Sequence, residues 1–133
     1  MKETLKPGLA TGRTLTVDDS RVISFMGDDC RVYATPRIIS DVEYTCRDFL
    51  LQHLDPGEDS VGTRVNWEHV GPALLGESVT VSVKLVQVEG RRVTFEASVA
   101  AGADAVARGT HERFVVDVQK VRDRLLKRKA KAG

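Results

Sequence analysis

The sequence predicts an α+β chain, with an antiparallel sheet of about five strands wrapped around one long central helix. Three observations predict it. A helical period of apolar residues runs over Thr35–Leu54, the period changes to two in everything that follows, and 133 residues suffice for one core. With 41% hydrophobic and 29% charged residues, the composition is that of an ordinary globular domain. No stretch approaches the roughly 20 apolar residues that span a bilayer, and Met1-Lys2-Glu3 lacks the apolar region of a signal peptide. The cytoplasm is therefore the expected compartment, with no membrane partner. Cys30 and Cys46 show no metal-ligand spacing and read as simple buried thiols.

Residues 1–12 contain Pro7, Gly8 and Gly12 and read as a loose N-terminal arm, followed by alternation over Arg13–Val17 that suits a first strand. Asp18–Arg31 is polar and irregular, with Gly27-Asp28-Asp29 as its clearest turn. At the start of the long helix Thr35 can serve as cap, and Pro36 suits a first-turn position whose N–H has no intrahelical partner. Ile38, Ile39, Val42, Cys46, Phe49, Leu50 and Leu54 form one broad apolar stripe, which Asp55-Pro56-Gly57 ends. Val61–Val70, Ser78–Glu89, Arg91–Ala101 and Ala105–Gln119 then read as strands, separated by Gly71-Pro72 and Gly76, Glu89-Gly90, and Gly102-Ala103-Asp104. In the second of these, Val79, Val81, Val83 and Leu85 share one face while Thr80, Ser82 and Lys84 share the other, the pattern of a sheet covered on one side.

Residues 120–133 form a basic tail, with seven cations against Asp123. Its net charge is +6, so the rest of the chain carries −5 within a total of +1. Val121, Leu125 and Leu126 give it one apolar edge, and a short solvated helix is expected. The tail has no interleaved aromatics and joins no helix-turn-helix pattern, so nucleic acid is not an expected partner.

Three polar residues stand where packing alone does not place them. Glu43 lies along the edge of the apolar stripe, where a carboxylate is costly unless paired. His69 shares strand parity with Val61, Val65 and Trp67, which puts it on the covered face either as a hydrogen-bonded core residue or as a base. Thr35 caps the helix or, beside the free donors of a helix start, positions water or attacks an acyl carbon. Eight residues of helix separate Thr35 from Glu43 by about 12 Å, so a shared site needs a substrate, a water or a second subunit between them. His53, His69 and His111 lie on three elements without ligand spacing, so no metal is expected, and with neither a G-x-S-x-G elbow nor a P-loop present no cofactor is expected either.

Ala34-Thr35 before the helix, Glu43 within it, Leu54-Asp55-Pro56-Gly57-Glu58, Val61-Gly62-Thr63, His69, Val88-Glu89-Gly90-Arg91-Arg92 and Gly109-Thr110-His111-Glu112-Arg113 form an ordered set. By it the chain resembles the hotdog-fold thioesterases, and among them the fluoroacetyl-CoA thioesterase-like family. The resemblance implies that Thr35, Glu43 and His69 are catalytic. It implies further that Gly62 turns a backbone N–H toward the thioester and that Arg113 lies near the acyl pocket, with Tyr33 and Pro36 adjoining the substrate. It implies a homodimer or higher oligomer, with sheets joined edge to edge and sites at the subunit interface, acting on an acyl-CoA or acyl-carrier thioester. In the fluoroacetyl-CoA enzyme phenylalanines before the threonine form a lid and a glycine follows it. This chain has Gly27-Asp28-Asp29-Cys30-Arg31-Val32 and Pro36 instead, so small or medium acyl groups are expected rather than fluoroacetyl in particular. A non-catalytic acyl-CoA-binding or ligand-sensing module on the same fold is the alternative.

Overall fold

Helical and alternating periodicities fold onto each other in the computed structural model, which describes residues 1–133. Strand β1 (Ala10–Thr16) precedes a 3-10 turn at Asp19–Arg21 and helix α1 (Thr35–Leu51). Strands β2 (Glu58–His69), β3 (Ser78–Glu89), β4 (Arg92–Ala101) and β5 (Asp104–Asp117) follow, and helix α2 (Val118–Ala132) ends the chain. The five strands form one antiparallel sheet in the order β1-β3-β4-β5-β2, which leaves β1 and β2 as its edges. α1 lays its stripe of Ile38, Val42, Cys46 and Leu50 on one face of that sheet, against Val81, Val83, Leu85, Phe95 and Val99. Phe95 is fully buried in this layer, where truncating a phenylalanine to alanine typically costs about 3–5 kcal/mol. No helix is long and apolar enough to cross a membrane.

Several expectations change, and of the two thiols only Cys46 is buried, Cys30 being exposed. The helix ends at Leu51 instead of Leu54, since Gln52 serves as its C-cap and Leu54 closes the core from the turn beyond. Thr35 is not the cap. Ala34 holds the extended N-cap conformation without a side-chain bond, and Thr35 is already helical. Residues 1–12 are not loose: Gly8 N donates to the Leu85 carbonyl, Lys2 N to that of His53, and Leu5 is buried. The basic tail is helical and buries no residue, with its first turn capped by the Asp117 carboxylate on Lys120 N.

Register decides which side chains meet under α1. Directly opposed residues of antiparallel strands share a face. One row across the sheet runs His69–Ala107–Val99–Val81, the next Trp67–Gly109–Ala97–Val83, the next Val65–His111–Phe95–Leu85, and the last Gly62–Arg113–Val93. β2 carries one extra residue between Gly62 and Arg64, a β-bulge at Thr63. Without it Gly62 and His69, seven positions apart, would point to opposite faces. The bulge also moves Val61, expected beside His69, to the opposite face with the exposed Phe114.

Candidate active site

The residues singled out by sequence gather in two groups. At the start of α1 and the end of β2, the Thr35 hydroxyl and His69 Nδ1 share a hydrogen bond of 2.7 Å, and both residues are exposed. The loop leading into α1 fixes Thr35: Tyr33 N donates to the Ala73 carbonyl and Ala34 N to that of Arg21. Tyr33 is only 1% exposed and its hydroxyl donates to Asp41, which also takes Arg21 Nε at 2.8 Å and Nη2 at 3.1 Å. Burial, and then the Asp41 bond, push the Tyr33 hydroxyl pKa up. Within one chain Tyr33 braces the helix from behind, and its hydroxyl is not open to a ligand. Pro36 is exposed beside Thr35 in the first turn.

Two turns further along α1, Glu43 forms the second group with Gly62, His111 and Arg113. The space over Gly62 is where they converge. A Cβ placed there would stand 3.0 Å from Glu43 Oε1, 3.1 Å from His111 Cε1 and 3.5 Å from Arg113 Nη1. Close approach therefore requires glycine. Arg113 is buried, donating from Nε to Ser60 Oγ at 2.7 Å, from Nη2 to the Ser60 carbonyl at 2.8 Å and from Nη1 to His111 Nε2 at 3.2 Å. Burial lowers the Arg113 pKa and the Glu43 charge opposes that shift, yet a guanidinium stays cationic at neutral pH. Cys46, under the same cluster, has its thiol pushed up to about 12 by burial, so it serves as packing and not as a nucleophile. A cavity of about 530 Å³ opens on this group, lined by Glu43, Arg47, Asp59, Ser60, Gly62 and Arg113.

Thr35 and Glu43 remain about 12 Å apart along the helix, and His69 lies roughly 20 Å along β2 from Gly62. One chain thus brings Thr35 to His69, and Glu43 to Gly62 and Arg113, but it does not bring the two groups together. In the sequence His111 stands out as a histidine without metal-ligand spacing and as part of the Gly109–Arg113 block, with no role of its own, and Ser60 does not stand out at all. The signal for His111 was its parity with Arg113, which makes two polar residues in succession on the inward face of β5.

Comparison with known proteins places the chain in a family. The family model described as fluoroacetyl-CoA-specific thioesterase matches residues 17–119. A fluoroacetyl-CoA thioesterase from Streptantibioticus cattleyicolor is 37% identical over 89 residues, covering 67% of this chain and 64% of that protein. A crystal structure of a single-residue variant of the fluoroacetyl-CoA-specific thioesterase superposes with a TM-score of 0.86 at 27% identity, covering 96% of this chain and 99% of that one. A thioesterase superfamily member from Thermus thermophilus gives 0.86 at 25% identity over 98% and 99%. A hot-dog-like protein from Thermanaerovibrio acidaminovorans gives 0.84 at 26% over 92% and 91%. By a match that takes in both groups of polar residues and every strand from β2 to β5, this chain belongs to the fluoroacetyl-CoA-specific thioesterase family, on the hotdog fold.

Proposed function

We propose that the protein hydrolyses a small or medium acyl thioester of coenzyme A or an acyl carrier, and that each site is shared between two copies of the chain. The 2.7 Å bond between the Thr35 hydroxyl and His69 Nδ1 carries the reading, because a hydroxyl bonded to an imidazole is the pairing that acyl transfer requires. His69 accepts the proton as Thr35, or a water held by it, adds to the thioester carbonyl. A backbone N–H at Gly62 or at the start of α1 steadies the oxyanion, and losing one such donor typically costs around 3 kcal/mol of transition-state stabilisation. Glu43 orients the attacking group, and Arg113 flanks the acyl end.

The separation of the two groups within one chain favours the shared site. β2 is an edge strand with Val61 and Val65 exposed, and an edge of this kind is a template for pairing. Antiparallel pairing of β2 with its copy, about a two-fold axis at Asn66 and with Thr63 bulged out of the ladder, sets His69 of one chain across from Gly62 of the other, on the same face. The two halves then meet.

Thiol release from a panel of acyl-CoA thioesters tests the activity. His69→Ala is expected to lower kcat at least tenfold with the fold intact. Thr35→Ser is expected to keep turnover that Thr35→Ala loses if the hydroxyl itself attacks. Sharing between subunits is read by mixing: inactive His69→Ala and inactive Glu43→Ala chains, refolded together, should recover up to about a quarter of wild-type activity, since half the dimers are mixed and each has one intact site. No recovery would place the whole site in a single chain.

A further inference from the structure

His111 is 1% exposed and forms two hydrogen bonds that together define its chemical state. Nδ1 lies 2.9 Å from the Arg64 carbonyl, which can only accept, so Nδ1 carries the proton. Nε2 lies 3.2 Å from Arg113 Nη1, which can only donate, so Nε2 is unprotonated. The ring is a neutral strut between two strands, with a donor on one side and an acceptor on the other. Its donor end holds the carbonyl just after the bulge at Thr63, whose hydroxyl donates to the Glu112 carbonyl at 3.3 Å from the same place. Its acceptor end holds a guanidinium that Ser60 already grips by two bonds.

Resting on the thioesterase reading, we infer that His111 is the positioning residue of this site: it holds Arg113 at a fixed distance from Glu43 and locks the bulge that turns Gly62 onto the face of His69. Glu43 acts on Arg113 as a charge and not as a hydrogen-bond partner, although Oε1 and Nη1 both flank the space over Gly62. A guanidinium and a carboxylate left that close to each other would close into a bidentate pair and fill that space. With three of its five N–H groups committed to Ser60 and His111, Arg113 cannot turn that way, and its two remaining donors stay available to the acyl end of a ligand. The same ring therefore keeps the cavity open and sets the direction of the Gly62 N–H. Neither effect requires His111 to touch substrate.

The two bonds can be removed separately. A glutamine amide reaches about where Nε2 stands and can accept from Arg113, whereas an asparagine amide reaches about where Nδ1 stands and can keep only the bond to Arg64. On the best acyl-CoA of the panel, His111→Ala and His111→Asn should each lower kcat by about tenfold or more, and His111→Gln by no more than about threefold. In an Arg113→Met background His111→Ala should add no more than about threefold, the share carried by the bond to the Arg64 carbonyl, because the guanidinium it works through is gone. Circular dichroism selects the folded variants; if His111→Ala fails to fold, the asparagine and glutamine variants decide. Full additivity with Arg113→Met, or glutamine no better than asparagine, would overturn the proposal. Nitrogen NMR of the 15N-histidine-labelled wild-type protein supplies a readout without turnover. A neutral ring protonated on Nδ1 at neutral pH is expected, and an Nε2–H tautomer or an imidazolium would also overturn it. Should the wild type cleave no thioester, the functional reading falls, and the NMR signature still tests the strut.

Discussion

The two halves of the site are built by opposite physical strategies. Thr35 and His69 are exposed, meet through one hydrogen bond, and sit at element ends, the first turn of α1 and the last residue of β2. Glu43, Gly62, His111 and Arg113 lie mid-element, and Arg113 and His111 are buried and bonded at almost every polar atom. An exposed hydroxyl–imidazole pair has water as a competitor for every bond it forms, so alone it is poorly preorganised. A buried guanidinium with three fixed bonds is rigid before any ligand arrives. On the proposed function one half carries the proton chemistry and is completed by the second copy. The other is already shaped and lacks a base. Removing a residue from the first should affect turnover alone, while removing one from the second should affect stability as well.

Arg113 gives the largest separation between the halves. Arg113→Met leaves Ser60 Oγ, the Ser60 carbonyl and His111 Nε2 without their donor in a buried place. Stranded groups of this kind cost about 1–3 kcal/mol each, and removing a buried charge returns part of that. The expected net loss is about 2 kcal/mol, or roughly 8 °C in a thermal melt of a domain this size. His69→Ala, by contrast, should stay within about 0.5 kcal/mol of wild type, because an exposed side chain leaves nothing stranded. Equal melting temperatures for the two variants would erase the distinction between exposed and buried halves.

Gly62→Ala is a smaller perturbation of the buried half. The added methyl would stand 3.0 Å from a carboxylate oxygen and 3.1 Å from the His111 ring, both tighter than ordinary contact. Glu43 is the end of a flexible chain and can yield, whereas His111 is held at both nitrogens. We expect a loss of about 1 kcal/mol in denaturant melts, with thiol release impaired more than stability, since the methyl fills the space that the proposed function gives to the acyl group. A variant with wild-type kcat/KM would show that this space is not used.

Much of the fold was legible because amphipathic elements advertise their period. The stripe from Ile38 to Leu50 and the alternation from Val79 to Leu85 are the residues that form the core. Glu43 was legible by the same arithmetic, as the one carboxylate on the margin of that stripe. Thr35 is ambiguous in the sequence, because a hydroxyl before a helical proline suits a cap as well as a reactive group, but backbone conformation puts Ala34 at the cap and leaves the hydroxyl for His69. The bulge had no signature at all. Thr63 and Arg64 are polar on either register, so no misplaced apolar residue warned that parity changes there, and Val61 was assigned to the wrong face in consequence. Arg113 came from family resemblance alone. His111 was hidden because its two partners, a carbonyl on β2 and a guanidinium two residues along its own strand, become neighbours only once the register is set.

The smallest expected effect is a pH dependence confined to the buried half. Burial holds the His111 pKa below its ordinary 6.5, and the Arg113 charge adds to the shift. Glu43 on α1, Glu112 on β5 and the Arg64 carbonyl on β2 oppose it. The folded chain therefore binds fewer protons at this ring than the unfolded chain does just below pH 6.5, and stability must rise with pH through that interval. Conversely, this contribution is fully present above 6.5 and drains away as the pH falls from there toward the folded-state value. His111→Gln has nothing to titrate. Denaturant melts from about pH 7 down to about pH 5 should show wild type losing more stability than His111→Gln, the difference opening as the pH falls through the ordinary imidazole value. Parallel curves would mean that His111 titrates alike in the folded and unfolded chain, and that burial against the guanidinium does not hold the ring neutral.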